Sequence, residues 1–358
     1  MNPDSLKLTS YFGERARTRD AFLADALIDC YARREVQLSL VLRGIEGFGL
    51  KQRRRTDRLL TLSEDLPLVS VAVDTRERIE AVLPEVVELG GDGLLTLERA
   101  RLITDGLDGG EPLHEATKLT VYLGRVERAE RRPAHLAVVD LLHRHGIAGA
   151  TALLGVDGTV RGVRRRARFF SANAQVPLMV IAVGTAERVA PAVAELGTTM
   201  PRALATVERV TVCKRDGLRL AEPPHVPAID ASGLGLCQKL MIYCSEQSRH
   251  AGKPLYRELV HRLRSAGAAG ATSVRGIWGY HGDHRPHGDS FWQLQRRVPV
   301  VTVVVDTPPA VRRWFEIVDE LTDETGLVTS EIVPAFRARA ADGDTGGLRL
   351  ASGWSASP

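Results

Sequence analysis

Aromatic residues make up only 5% of this 358-residue chain, and cysteine occurs four times. Cys30, Cys213, Cys237 and Cys244 form no CxxC pair and no disulfide-like spacing. That argues against a zinc ribbon, a redox motif or a disulfide scaffold, and for buried free thiols. No apolar run is long enough to span a bilayer, and the N-terminus has no apolar signal core, so a cytoplasmic protein is expected. The phosphate-binding pattern GxxxxGK[ST] is absent, which argues against ordinary NTP hydrolysis. No nucleophile arrangement of Ser, His and Asp is recognisable, and a non-enzymatic role is expected. Neither sign of charge dominates: 48 Lys and Arg oppose 44 Asp and Glu, a net +4. A pI near 9.0 permits an anionic ligand without calling for nucleic acid.

What the chain does have is repetition, which must be found before local structure is assigned. Arg43-Gly44-Ile45-Glu46-Gly47-Phe48-Gly49 is echoed by Leu154-Gly155-Val156-Asp157-Gly158 and by Arg275-Gly276-Ile277-Trp278-Gly279. The offsets are 111 (154 − 43) and 121 (275 − 154), and the same offsets relate Lys7-Leu8-Thr9, Lys118-Leu119-Thr120 and Lys239-Leu240-Met241. Further landmarks keep this order, among them Leu66-Pro67, Val176-Pro177 and Val298-Pro299. Near the ends come Thr96-Leu97-Glu98, Thr206-Val207-Glu208 and Thr329-Ser330-Glu331. Three copies are therefore expected at 5–104, 116–214 and 237–340. A Pro- and Gly-containing linker lies at 215–236, and a Gly/Ser/Asp-rich tail at 341–358 reads as disordered. Gly217-Leu218-Arg219-Leu220-Ala221 in the linker recurs as Gly347-Leu348-Arg349-Leu350-Ala351 in the tail. Either this is a small appendage shared by two copies, or it is coincidence.

Copy three shows the local pattern most plainly. A short apolar strand precedes a helix-period segment with Leu255, Leu259, Val260 and Leu263, opened by Pro254. Residues 271–274 and the β-branched run 298–305 read as strands. Thr307 caps a second helix carrying Val311, Phe315, Val318 and Leu321, and residues 327–333 give a last strand. The order β-α-β-β-α-β is the ferredoxin-like arrangement, an α+β fold. Both helices on one face leave the other apolar face open, and three such faces can bury one another. A single-chain pseudo-trimer, monomeric as a chain, is the expected architecture.

Copy three also carries a resemblance, through Lys239-Leu240, Gly252-Lys253-Pro254, Gly267-Ala268-Ala269-Gly270, Arg275-Gly276-Ile277-Trp278-Gly279 and His287. It resembles the PII-like family known as domain of unknown function 190, and copy two departs furthest, with Leu154 and Arg166 at the loop arginine and histidine positions. The resemblance implies trimeric assembly and kinship with PII signal proteins, which bind adenine nucleotides between subunits and signal through the long loop between strands two and three. It also implies a membrane transport partner of fluoride-exporter type.

That loop corresponds to 44–58, 155–168 and 276–293 here. Its candidate anion ligands are Arg43, Arg53, Arg54, Arg55, Arg164, Arg165, Arg166, Arg275 and Arg285, beside Gly44, Gly47, Gly49, Gly276 and Gly279. Guanidinium forks pair with oxyanions, and bare glycine backbone lets donors approach. The alternative is a solvated basic loop. Lys253 stands before a helix start where it could reach a phosphate, or it is a solvent lysine beside a turn. Trp278 and Tyr280 either stack on a base or anchor the loop. His281, His284 and His287 could hold zinc or nickel, although copies one and two lack these histidines. Three readings follow: a PII-like regulator binding a small anion, an interaction module with decayed sites, or a metal-binding protein. Clefts touching copy three are expected to be the best preserved.

Overall fold

In this computed structural model the described residues are 2–49, 52, 55–56, 65–90, 92–103, 113, 115–129, 131–160, 163–164, 176–281, 286–288, 298–322, 326–340 and 343–351. Copy one runs Asn2–Gly13, α1 (Leu23–Arg33), Leu38–Phe48, Pro67–Thr75, α2 (Arg76–Leu89) and Gly93–Ile103. Copy two repeats this order with Ala116–Gly124, α3 (Ala134–Arg144), Gly149–Leu154, Pro177–Thr185, α4 (Ala186–Thr199) and Leu204–Arg209. Copy three has Cys237–Ser245, α5 (Leu255–Ser265), Ala271–Arg275, Pro299–Asp306, α6 (Pro308–Leu321) and Leu327–Val333. In each copy the first strand lies between the third and fourth, and the second strand pairs outside the third, all antiparallel.

The helices form because their apolar positions recur at helical spacing and bury on one sheet face. In α5 the buried stripe is Leu255, Tyr256, Leu259, Val260 and Leu263, and in α1 it includes Leu23, Leu27, Ile28 and Tyr31. The opposite sheet faces meet in a shared core to which every copy contributes: Leu40 and Val71 from copy one, Met179 and Ile181 from copy two, Met241 and Val301 from copy three. At roughly 25 cal/mol per Å² of buried apolar surface, removing these faces from water is the main force joining the copies.

Strand pairing closes the chain into a ring in two ways. Fourth strands or their continuations link one copy to the next: Arg101–Ile103 with Ala205–Val207, Thr211–Arg215 with Leu327–Ser330, and Ala335–Arg339 with Gly93–Leu97. Continuations of the second strands link them in the reverse sense. Asp157–Val160 pairs with Leu38–Val41, Trp278–His281 with Gly149–Ala152, and Gly44–Phe48 with Ala271–Val274. The stretches expected to open as glycine-rich loops are thus strands first. Their apolar positions are claimed by the neighbouring copy, which a one-copy pattern cannot reveal.

The linker and tail also fold back. Leu218–Arg219 pairs with Lys214–Arg215, and Arg219 is held by Glu222, Glu316 and Asp319 against α6. Within the tail, Gly343–Gly347 pairs with Ala335–Ala340, and the Ala351 N–H donates to the Pro334 carbonyl. In the linker the repeated five-residue segment itself contains the returning strand, whereas in the tail it begins at the end of one. All four cysteines are buried and free. Burial pushes the thiols of Cys30, Cys213 and Cys244 up to about 12, which leaves them unreactive near neutrality.

Candidate functional site

On the axis where the three sheets meet, Lys7, Lys118 and Lys239 alternate with Glu98, Glu208 and Glu331. Each lysine touches the glutamate of its own copy and that of the next: Lys7 with Glu98 and Glu208, Lys118 with Glu208 and Glu331, Lys239 with Glu331 and Glu98. The separations are 3.0 Å for Lys7–Glu98 and Lys118–Glu208, and 2.8 Å for Lys239–Glu331. All six residues are buried. Burial alone would raise the carboxyls, but Lys239, Lys7 and Lys118 hold Glu98 well below the usual carboxylate range. Glu331 is lowered to about 2, since Lys118, Lys239 and Lys7 outweigh burial. Burial opposes the charge of every lysine. The carboxylates prevail at Lys7 and Lys239, which lie above the ordinary value, whereas burial prevails at Lys118, which lies below it.

The three carboxylates approach within 4.8 Å, the kind of grouping that could take a cation. Three ammonium groups already balance them, so the ring reads as a closed ion-pair network rather than a metal centre. A cavity of about 70 Å³ adjoins it, lined by the lysines, Tyr11, Tyr122, Met179 and Met241.

Away from the axis lie clefts between copies, and two in equivalent positions differ in chemistry. Between copies two and three is a cavity of about 540 Å³ whose lining includes Arg188, Arg209, Arg215, Thr185 and Leu327. An adjoining hollow reaches Tyr280, on the second-strand continuation of copy three. Arg209 is exposed and has no ion pair among the described residues, and Arg215 reaches Asp216 at 3.5 Å. Between copies three and one is a cavity of about 210 Å³ walled by Phe12, Phe48, Phe336, Leu94 and Val305. Counting from the shared landmarks Thr185/Thr307 and Glu208/Glu331, the three arginines correspond to Ala310, Ile332 and Ala338. Strand pairing agrees for the last of these, since Arg215 lies opposite Leu327 and Ala338 opposite Leu94. Copies one and two share the first of these arginines, as Arg78 and Arg188, each donating to a backbone carbonyl just after the first helix of its copy, Glu35 or Gly146.

The residues singled out from sequence are placed as follows. Gly47, Gly158 and Gly279 sit where second-strand continuations cross a neighbouring copy. A Cβ there would lie 2.7, 2.3 and 2.2 Å from the carbonyls of Ala271, Ser39 and Ala150. Gly44 and Gly276 would similarly strike Pro67 and Pro299, and Gly49 has open space around it. These glycines permit close backbone approach between copies. Arg164 is clamped by Asp25 and Asp29 of α1 and by Asp157, joining copy two to copy one. Arg43 pairs with Glu14 at 3.0 Å, Arg275 with Glu246 at 2.6 Å, and Lys253 with Glu258 at 3.6 Å. Tyr280 is buried, donates to the Ile147 carbonyl at 2.9 Å and packs edge-on against His143, so it anchors the strand. Arg53, Arg54, Arg165, Arg166, Arg285 and His284 lie outside the described residues, as do the side chains of Arg55, His281 and His287.

Sequence reasoning used Lys7, Lys118, Lys239 and the three glutamates as landmarks without seeing that they meet. The available signal was a charged residue at a fixed place inside each otherwise apolar strand, where an unpaired charge is costly. The cleft arginines gave no such signal, because they lie near strand and helix ends like ordinary surface residues.

No helix among the described residues is long and apolar enough to cross a membrane. One curated relative, a UPF0166 protein of Aquifex aeolicus (strain VF5), is 33% identical over 94 residues, 26% of this chain and 88% of the relative. Solved structures give distant likenesses. An aspartate kinase from Synechocystis has 11% identity and a TM-score of 0.28, covering 95% of this chain and 46% of the kinase. An unknown protein from Galdieria sulphuraria has 8% identity and a TM-score of 0.17, covering 61% of this chain and 97% of that protein. The chain thus spans about half the length of that kinase. The profile of the DUF190 family (uncharacterized ACR, COG1993) matches three times, at residues 5–102, 116–212 and 237–335. The chain belongs to the DUF190 family and carries three copies of its domain.

Proposed function

We propose that this chain is a non-enzymatic, PII-like regulatory protein: three ferredoxin-like units closed into a single-chain pseudo-trimer that binds a small anion between copies. The observation that carries the anion reading is the cleft between copies two and three, where Arg188, Arg209 and Arg215 surround a cavity of about 540 Å³. A planar guanidinium with fork geometry suits a phosphate oxyanion, and three arginines in one cleft suit more than one such group. An adenine nucleotide is the ligand class that the PII resemblance suggests. The same region reaches Tyr280, which precedes the long loop through which a partner would be controlled. A membrane transport protein is the partner class suggested by the resemblance.

Isothermal titration with ATP, ADP, AMP, cyclic nucleotides and pyrophosphate tests this reading. Binding of at least one by the native chain is expected, weakened about tenfold or more in an Arg209→Ala/Arg215→Ala variant. If none bound at millimolar concentration, the anion reading would be wrong. Light scattering tests the architecture separately, with the 39.1 kDa chain expected as a monomer.

A further inference from the structure

We propose that the cleft between copies three and one is a binding site for a small uncharged ring compound, a ligand class distinct from the anion assigned to its counterpart. The cavity measures about 210 Å³. A cavity of roughly 150 Å³ holds a benzene molecule, so this one suits a single or compact fused ring rather than a nucleotide. Three phenylalanines, Phe12, Phe48 and Phe336, contribute to its walls together with Leu94, Val303 and Val305. Ring edges and faces pack favourably against such walls beyond simple area burial.

The charge in the cleft points the same way. No Lys, Arg or His belongs to its described lining, whereas Asp92 and Asp306 do. Asp306 is already committed, accepting from the Trp314 indole N–H at 2.9 Å and from the backbone N–H groups of Ala269 and Thr307 at 3.0 and 2.8 Å. An anion here would lose its hydration in a cleft whose described lining holds no Lys, Arg or His to offset the cost. An uncharged ring loses little, and the hydroxyl-bearing residues Thr272, Thr307 and Thr345 in the lining can serve one polar substituent. The three arginine positions of the other cleft are Ala310, Ile332 and Ala338 in copy three, so the two clefts differ in the groups that select a ligand. The site is formed jointly by copies three and one and does not depend on the anion reading.

The test is calorimetric titration of the full chain with phenol and indole, with benzoate and inorganic phosphate as charged controls. Phenol or indole is expected to bind at low millimolar or tighter, and benzoate about tenfold more weakly or not at all. Val303→Trp fills the cavity and is expected to abolish binding. Because filling can also disturb folding, Phe336→Ala is measured alongside. By opening one wall it is expected to shift preference from phenol toward the larger 2-naphthol. The Arg209→Ala/Arg215→Ala variant is expected to bind indole unchanged, which separates failure here from failure of the anion site. The proposal is overturned if neither phenol nor indole binds the native chain, or if benzoate binds as tightly as phenol. A preference unmoved by Phe336→Ala, or affinity unmoved in a folded Val303→Trp chain, overturns it as well.

Discussion

The axis and the clefts follow opposite rules. At the axis all three copies supply the same two residues, a lysine from the first strand and a glutamate from the fourth, and every lysine bridges to the next copy. In the clefts the copies differ: Arg188 and Arg209 of copy two stand where copy three has Ala310 and Ile332. The difference teaches that joining the copies demands identity, because a buried ring of six charges tolerates no missing member. A solvent-facing cleft carries no such constraint, so each can take up its own chemistry. Copy two, the furthest from the family pattern in its loop, supplies the most basic of the described clefts.

The sharpest way to break the comparison is to remove one charge from the axis. Lys118→Met leaves Glu208 and Glu331 short of a partner and is expected to cost about 3–5 kcal/mol in urea unfolding. Replacing all six members with apolar residues of matching volume is expected to be about neutral, which would assign the ring to ordering the copies rather than to net stability.

Acid should weaken the same ring in a predictable direction. Glu98 and Glu331 have folded-state pKa values below their ordinary value of 4.5, so their contribution is present above about that pH. It is lost as pH falls toward about 2. Unfolding midpoints should therefore fall steeply with pH below 4.5, and less steeply in Glu331→Gln.

The comparison between clefts can be sharpened by grafting. Ala338→Arg gives the cleft between copies three and one the counterpart of Arg215. Phosphate or pyrophosphate affinity there is expected to rise about tenfold, read by calorimetry in the Arg209→Ala/Arg215→Ala background. The smallest effect is expected at Arg164. It is partly exposed and contacts Asp25, Asp29 and Asp157, so Arg164→Ala should cost about 1 kcal/mol, measured by the same unfolding assay.

Much of the fold was legible because it rests on local periodicity. The helix stripe Leu255, Leu259, Val260 and Leu263 and the strand Leu327–Val333 stand where the sequence pattern put them. Glycine was harder to read. Gly47 and Gly279 read as phosphate-loop residues, and each stands where another copy's carbonyl would strike a Cβ. Arg164 likewise read as an anion ligand and stands against three carboxylates. Both placements share a cause: partners such as Ala271, Asp25 and Asp29 lie more than a hundred positions away in another copy, beyond the reach of any local pattern.

By itself the sequence determined that one domain is written three times, which elements each copy forms, and that each carries a lysine and a glutamate at fixed places. Spacing and periodicity are properties of the chain alone, so no folding is needed to read them. Only the tertiary structure decided that those six residues close into one ring, and that Arg188, Arg209 and Arg215 share a cleft. It also set that cleft apart from its phenylalanine-lined counterpart. Those are distances between strands of different copies, set by how three sheets bury one another.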